Sequence, residues 1–148
     1  MTKILPPNPN FKAYLEEKLQ RQFFMKHVGF EVTRIEAGEV EVQLQVLEKH
    51  LQQNYFLHGG VLMTAADLVM GFSAYTLCEE GTGVVTADLN IQFFRPGVGD
   101  TLIAKGKVIK PGRAIHFCEA SIYVQKGDDE PVLTNKASSS MAVIQLRQ

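Results

Sequence analysis

Cysteine is scarce in this chain, and so is any excess of charge. Only Cys78 and Cys118 occur among its 148 residues. Both fall inside apolar segments and lack a zinc-type spacing. They read as small buried hydrophobes in a reducing, cytoplasmic compartment, not as a disulfide scaffold. Fifteen Lys and Arg against sixteen Asp and Glu leave a formal net charge of −1, which withholds the basic face that a nucleic-acid partner needs. No GxSxG nucleophile elbow is present. His27, His50 and His116 show neither metal nor triad spacing, so no metal and no resident cofactor is expected. The opening Met-Thr-Lys-Ile-Leu-Pro-Pro-Asn-Pro-Asn has no signal-peptide core. One apolar run, 61–78, has about the length of a bilayer span. It holds Asp67, small residues and hydroxyls, and no basic cluster flanks it, so a membrane span is rejected.

What is present is the composition of one ordinary globular domain. Apolar residues make up 45% and charged residues 21%, typical of a globular chain with a real core. No linker, repeat or low-complexity stretch divides it. The expectation is a single domain over 1–148 with an N-terminal helical extension at about 8–27. Pro6, Pro7 and Pro9 mark an irregular start. Asn10 is placed to cap a helix over about 11–26, where Phe11, Tyr14, Leu15, Leu19 and Phe23 recur at helical spacing. Segments 30–37 and 39–47 read as strands around Gly38. In the second, Val40, Val42, Leu44 and Val46 alternate with Glu41, Gln43 and Gln45, the period of a half-buried strand. After the polar loop 48–57, a long apolar helix is expected over about 59–80. Strands follow at 84–94, 101–109, 114–125 and 132–146, with turns at 95–100, 110–113 and 126–130. An antiparallel curved sheet wrapped around a long central helix satisfies this order and the helix's hydrophobicity on nearly every side. That is an α+β, hotdog architecture.

Asp67 carries the functional signal. It is the only charge in the 61–78 run, and a carboxylate in apolar surroundings costs roughly several kcal/mol to keep ionised unless it has a partner or a role. His58-Gly59-Gly60 stands just ahead of the helix, where free backbone N–H groups at its positive end suit a developing oxyanion. An acid and an oxyanion site on one helix suggest acyl transfer. Gly59 and Asp67 are eight residues apart, about 12 Å along a helix axis. One reacting carbonyl carbon does not easily touch both within one chain. Two antiparallel central helices from two subunits bring Gly59 of one beside Asp67 of the other, which argues for a dimer.

His58-Gly59-Gly60, six residues and then Asp67 resemble the HGGxxxxxxD signature of hotdog acyl-CoA thioesterases of the phenylacetic-acid-degradation (PaaI-like) type. The similarity continues through Thr86-Ala-Asp88-Leu-Asn90-Ile-Gln-Phe-Phe-Arg95-Pro96-Gly97 and covers roughly residues 30–145. The resemblance implies that Gly59 presents its N–H to the thioester carbonyl and that Asp67 is general base or nucleophile. Thr86 would help hold the attacking water, and His58 would orient the loop, with Gly60 beside it in the turn. A loop amide that positions the carbonyl falls on Gln52 by spacing, with Asn54 the nearby alternative. Arg95, Lys105, Lys107, Lys110 and Arg113 are the basic residues considered for the coenzyme A phosphates, and Arg113 is the choice. The implied partners are an acyl-CoA substrate and further copies of the chain, as a homodimer or a dimer of dimers. Two other readings stay open on the same fold: a non-catalytic acyl-CoA-binding or sensing module, and an enoyl-CoA hydratase or dehydratase using His58 with Asp67.

Overall fold

A computed structural model describes residues 3–147. Met1, Thr2 and Gln148, the ends of the expected 1–148 domain, lie outside the described residues. The element order is α1 (Phe11–Leu19), α2 (Phe23–Val28), β1 (Glu31–Glu36), β2 (Glu39–Gln45), a 3₁₀ turn (Glu48–His50), α3 (Gly59–Tyr75), β3 (Thr82–Phe93), β4 (Thr101–Lys110), β5 (Ile115–Gln125) and β6 (Val132–Gln145). The six strands form one sheet in the order β1-β2-β4-β5-β6-β3, with every neighbouring pair antiparallel. The hotdog expectation therefore holds: an α+β fold with the curved sheet packed on a central helix.

Alternation decides which strand face meets that helix. Val40, Val42 and Leu44 of β2, Leu102, Ala104 and Val108 of β4, and Cys118, Ala120, Ile122 and Val124 of β5 are buried in one cluster with Leu62, Ala65, Ala66, Val69 and Met70 of α3. Two hydroxyls in the apolar run, those of Ser73 and Thr76, are satisfied within this layer. Ser73 Oγ donates to the Val69 carbonyl at 2.6 Å and accepts from the Val40 N–H at 3.0 Å. Thr76 Oγ1 donates to the Ser73 carbonyl at 2.6 Å and accepts from the Gly38 N–H at 2.7 Å. These bonds pin the C-terminal end of α3 to the β1–β2 hairpin.

Three expectations change. The single N-terminal helix is two, and each buries one side chain in the core, Leu15 from α1 and Met25 from α2. The chain turns between them at Gln20–Gln22, where the Arg21 N–H donates to the Lys18 carbonyl and the Gln22 N–H to the Leu19 carbonyl. Phe23, assigned to the helix's apolar face, is 74% exposed, and the Asn10 side chain makes no capping bond. The central helix stops at Tyr75, five residues early, where the Thr76 hydroxyl takes over the carbonyl and amide bonds. Nor is that helix wrapped on every side. Gly60, Met63, Thr64, Asp67, Gly71 and Tyr75 recur at three- and four-residue spacing and are exposed or half-buried. They leave one stripe of α3 uncovered beside β3.

Candidate active site

The N-terminus of α3 is held from two directions. The His58 N–H donates to the His50 carbonyl at 2.9 Å, and the Leu57 N–H donates to the Gly97 carbonyl at 3.0 Å. His50 is itself buried and fully bonded. Its Nδ1 accepts from the Leu47 N–H at 2.9 Å, so the ring proton sits on Nε2, which donates to the Val28 carbonyl at 2.7 Å. A neutral imidazole thus ties α2 to the loop that delivers the helix.

At the helix start the amide bonds divide unequally. His58 is the N-cap, and its Nδ1 accepts from the Gly60 N–H at 2.9 Å. A Cβ on Gly60 would stand 3.1 Å from that nitrogen, so glycine leaves room for the ring to cap. The Val61 and Leu62 N–H groups both go to the His58 carbonyl. The Gly59 N–H finds no acceptor among the described residues. It is the unused donor at the positive end of a 17-residue helix, the place where negative charge is stabilised.

Two turns along, Asp67 is half-buried, not sealed in apolar surroundings as expected. It has a partner: Thr86 Oγ1 donates to Asp67 Oδ1 at 2.6 Å. With its proton committed to the carboxylate, the threonine oxygen offers its lone pairs to a water beside Asp67. A bulge aims Thr86. The β3–β6 register passes from Thr86↔Met141 to Asp88↔Ser140, leaving Ala87 unpaired. The Ser140 N–H goes to Asp88 Oδ1 at 3.0 Å. Met141 Sδ lies 3.5 Å from Thr86 Oγ1 on the side away from solvent.

Gln52 and Asn54 stand in the loop that leads into α3, and Arg113 stands apart from it within one chain. Gln52 turns its amide oxygen back on its own loop, where it accepts from the Asn54 N–H. Asn54 is exposed, with no side-chain hydrogen bond among the described residues. Tyr55 beside it is in the left-handed region at φ 64°, unfavourable for a bulky residue. Arg113 lies in the β4–β5 turn, lining a cavity of about 450 Å³ with Leu77, Cys78 and His116. That cavity is at the C-terminal end of α3, about 25 Å along the helix from Gly59, so one chain does not bring Arg113 to the Gly59 end. Burial there holds the His116 imidazole below the ordinary histidine range and pushes the Cys78 thiol up to about 11.

Phe93 belongs to the Gly59 end of the helix as well, though no sequence motif marks it. Its ring carbons stand 3.5 and 3.6 Å from where a Gly59 Cβ would be. The contact joins residues far apart in sequence and has no local signature. Among the described residues, no group of three or more His, Cys, Asp or Glu side chains stands close enough to hold a metal ion. No helix there is long and apolar enough to cross a membrane.

The family model for the thioesterase superfamily matches residues 54–130, just over half of the chain. The match takes in α3, β3, β4 and β5. The proofreading thioesterase EntH of Klebsiella pneumoniae is 30% identical over 101 residues, 68% of this chain and 74% of EntH. A thioesterase family protein from Silicibacter pomeroyi superposes with a TM-score of 0.88 at 25% identity, covering 91% of this chain and 98% of that one. The protein smu.793 from Streptococcus mutans, solved bound to acetyl CoA, gives a TM-score of 0.69 at 28% identity, covering 81% of this chain and 92% of that one.

Proposed function

This chain belongs to the thioesterase superfamily and is a thioester hydrolase; from that premise we propose that it cleaves acyl-CoA to the free acid and coenzyme A, at a site shared by two copies of the chain. The observation that carries this reading is the division of labour along α3. The N-terminal end holds an amide donor with no acceptor among the described residues, and the middle, two turns on, holds a carboxylate already oriented by a hydroxyl. The acetyl CoA held by the streptococcal relative supports the substrate class.

The chemistry needs only these groups. The thioester carbonyl oxygen accepts the Gly59 N–H. A water held by Thr86 and Asp67 attacks the carbonyl carbon and gives its proton to the carboxylate, and the oxyanion is stabilised at the helix N-terminus. As the intermediate collapses, the C–S bond breaks and the departing sulfur takes the proton from Asp67. Direct attack by Asp67 would instead form a mixed anhydride that water then opens. Single-turnover hydrolysis in ¹⁸O water separates the two routes, because only the anhydride route exchanges label into the Asp67 carboxylate.

Two contacts support a shared site. Within one chain, Phe93 stands at Gly59 and Thr86 at Asp67. The strand therefore runs back along the helix, and a single chain keeps the donor and the base about 12 Å apart. β3 is an edge strand of 12 residues, and its free side has no partner strand among the described residues. Met63, Val85 and Phe94 leave apolar surface exposed around it. A long unpaired edge with apolar neighbours invites pairing with another strand. A second copy related by a twofold axis covers this surface. It sets the partner subunit's Asp67 at Gly59 and the partner's Thr86 at Phe93, so the two β3 edges meet antiparallel about a centre between Leu89 and Asn90.

The deciding experiment is Asp67→Asn, which keeps the shape and one hydrogen bond but removes the base. We expect a folded protein of unchanged oligomeric state that still binds acyl-CoA and turns over at least about 10²-fold more slowly. Wild-type kcat in that variant would remove the catalytic role and leave a binding or sensing module. Hydration of an enoyl-CoA without thiol release would favour the hydratase reading.

A further inference from the structure

Phe93 has a position that its burial does not explain. It is the last residue of β3, on the face that carries Thr86, Leu89 and Ile91 toward the helix. Leu89 and Ile91 are partly buried against the core, whereas Phe93 remains 50% exposed. Its ring is in van der Waals reach of the Gly59 Cβ position, beside the amide that has no acceptor. The strand end that presents it is tied down. The Phe94 N–H donates to the Thr134 carbonyl at 2.9 Å, and Asn135 Nδ2 donates to the Gln92 carbonyl at 3.3 Å. Asn135, fully buried, is the residue directly opposite Phe93 in the register and points to the same face. The ring is thus anchored at its backbone and open at its face.

A half-exposed aromatic face next to an amide donor has a specific consequence for any carbonyl that docks there. With the carbonyl oxygen on the Gly59 N–H, one of the two substituents of the reacting carbon lies against the ring. Of these, the sulfur arm leads out to a long polar cofactor, while the acyl arm is the apolar one. Covering the ring with acyl carbon removes apolar surface of both from water. Resting on the acyl-CoA reading above, we infer that Phe93 is the specificity-determining wall of the acyl subsite. It selects apolar acyl groups that extend beyond acetyl.

The test compares acyl groups across variants of the full chain. Acetyl-, hexanoyl- and benzoyl-CoA are hydrolysed by wild type, Phe93→Ala and Phe93→Leu, with thiol release followed and oligomeric state checked by sizing. We expect Phe93→Ala to lower kcat/KM for hexanoyl- and benzoyl-CoA by about 10–100-fold, the range that apolar pocket contacts supply, with acetyl-CoA changed less than about threefold. Phe93→Leu, which keeps apolar bulk, restores most of the loss for hexanoyl-CoA. An equal fall for all three substrates would make Phe93 a structural residue and overturn the proposal, as would no change for any. The non-reacting thioethers S-hexyl- and S-ethyl-coenzyme A provide a readout without turnover. Calorimetry should show Phe93→Ala weakening the hexyl compound about tenfold or more and the ethyl compound little. If wild type hydrolyses none of the thioesters while this binding difference holds, the hydrolysis reading fails and the subsite stands. If hydrolysis proceeds and the selectivity does not depend on Phe93, the subsite fails and the hydrolysis reading stands.

Discussion

Gly59 shows how much a single backbone donor is asked to do. Its N–H is the only hydrogen-bond donor it brings, so the sharpest substitution removes that group and little else. Proline at the first helical position does so, because its fixed φ suits a helix start and its missing N–H leaves no helical bond unmade. The preceding residue must be extended, and His58 already is, at φ −62° and ψ 135°. We expect Gly59→Pro to fold and assemble as wild type while kcat falls about 10²–10³-fold, the usual loss for one oxyanion donor. Gly59→Ala keeps the N–H, and its Cβ meets Phe93 only at 3.5 Å, so it should stay close to wild-type kcat. Similar kcat values for the two variants would mean that the amide is not used. At this scale the sequence was partly legible. The His-Gly-Gly spacing singled out His58, Gly59 and Gly60, and the lone charge singled out Asp67. Gln52 rests on spacing within the family resemblance and Arg113 on its charge in a turn; within one chain the Gln52 amide oxygen bonds its own loop and Arg113 lines the cavity at the far end of α3.

Among the elements, the packing of α3 on the sheet depends on one glycine that no motif includes. Gly106 of β4 lies under the helix so closely that an added Cβ would come 2.4 Å from the Val69 carbonyl oxygen and 2.5 Å from its carbon. Those atoms are backbone, so relief requires the helix to move. We expect Gly106→Ala to destabilise the fold by about 1–3 kcal/mol, the range for overpacked cores. The denaturation midpoint should fall at unchanged m-value. A midpoint equal to wild type would show that α3 shifts at no cost. Periodicity locates all six strands within two residues, since the alternation of inward and outward side chains is a local property. It did not locate the break between α1 and α2, because Leu15 and Met25 both enter the core and tertiary burial overrides a continuous helical pattern. The end of α3 was misplaced for a similar reason: the bond of Thr76 to Gly38 crosses 38 residues.

In the whole molecule, the assembly question has a direct test. If donor and base come from different subunits, an Asp67→Ala chain and a Gly59→Pro chain are each inactive alone, and their heterodimer contains one intact site. Co-expressed in equal amounts and mixed at random, they should recover roughly a quarter of wild-type turnover, the share set by twofold pairing. A chain that carried its own complete site would gain nothing from the mixture. No recovery, with heterodimers shown by mass, would sink the shared-site proposal. A stable monomer with full turnover would do the same.

Local pattern was enough to give the class of fold, the central helix and the two groups on it that the proposed reaction uses. Element order, strand alternation and a charge stranded in an apolar run are all readable within a few residues of one another. It took the folded chain to reveal that β3, next after α3 in sequence, crosses to the far edge of the sheet beside β6. That placement brings Thr86 to Asp67 and Phe93 to Gly59, exposes the edge and leaves one stripe of the helix uncovered. Strand order and side-chain contact depend on how six strands share a single helix surface. That is a global packing problem, and no local pattern encodes its solution.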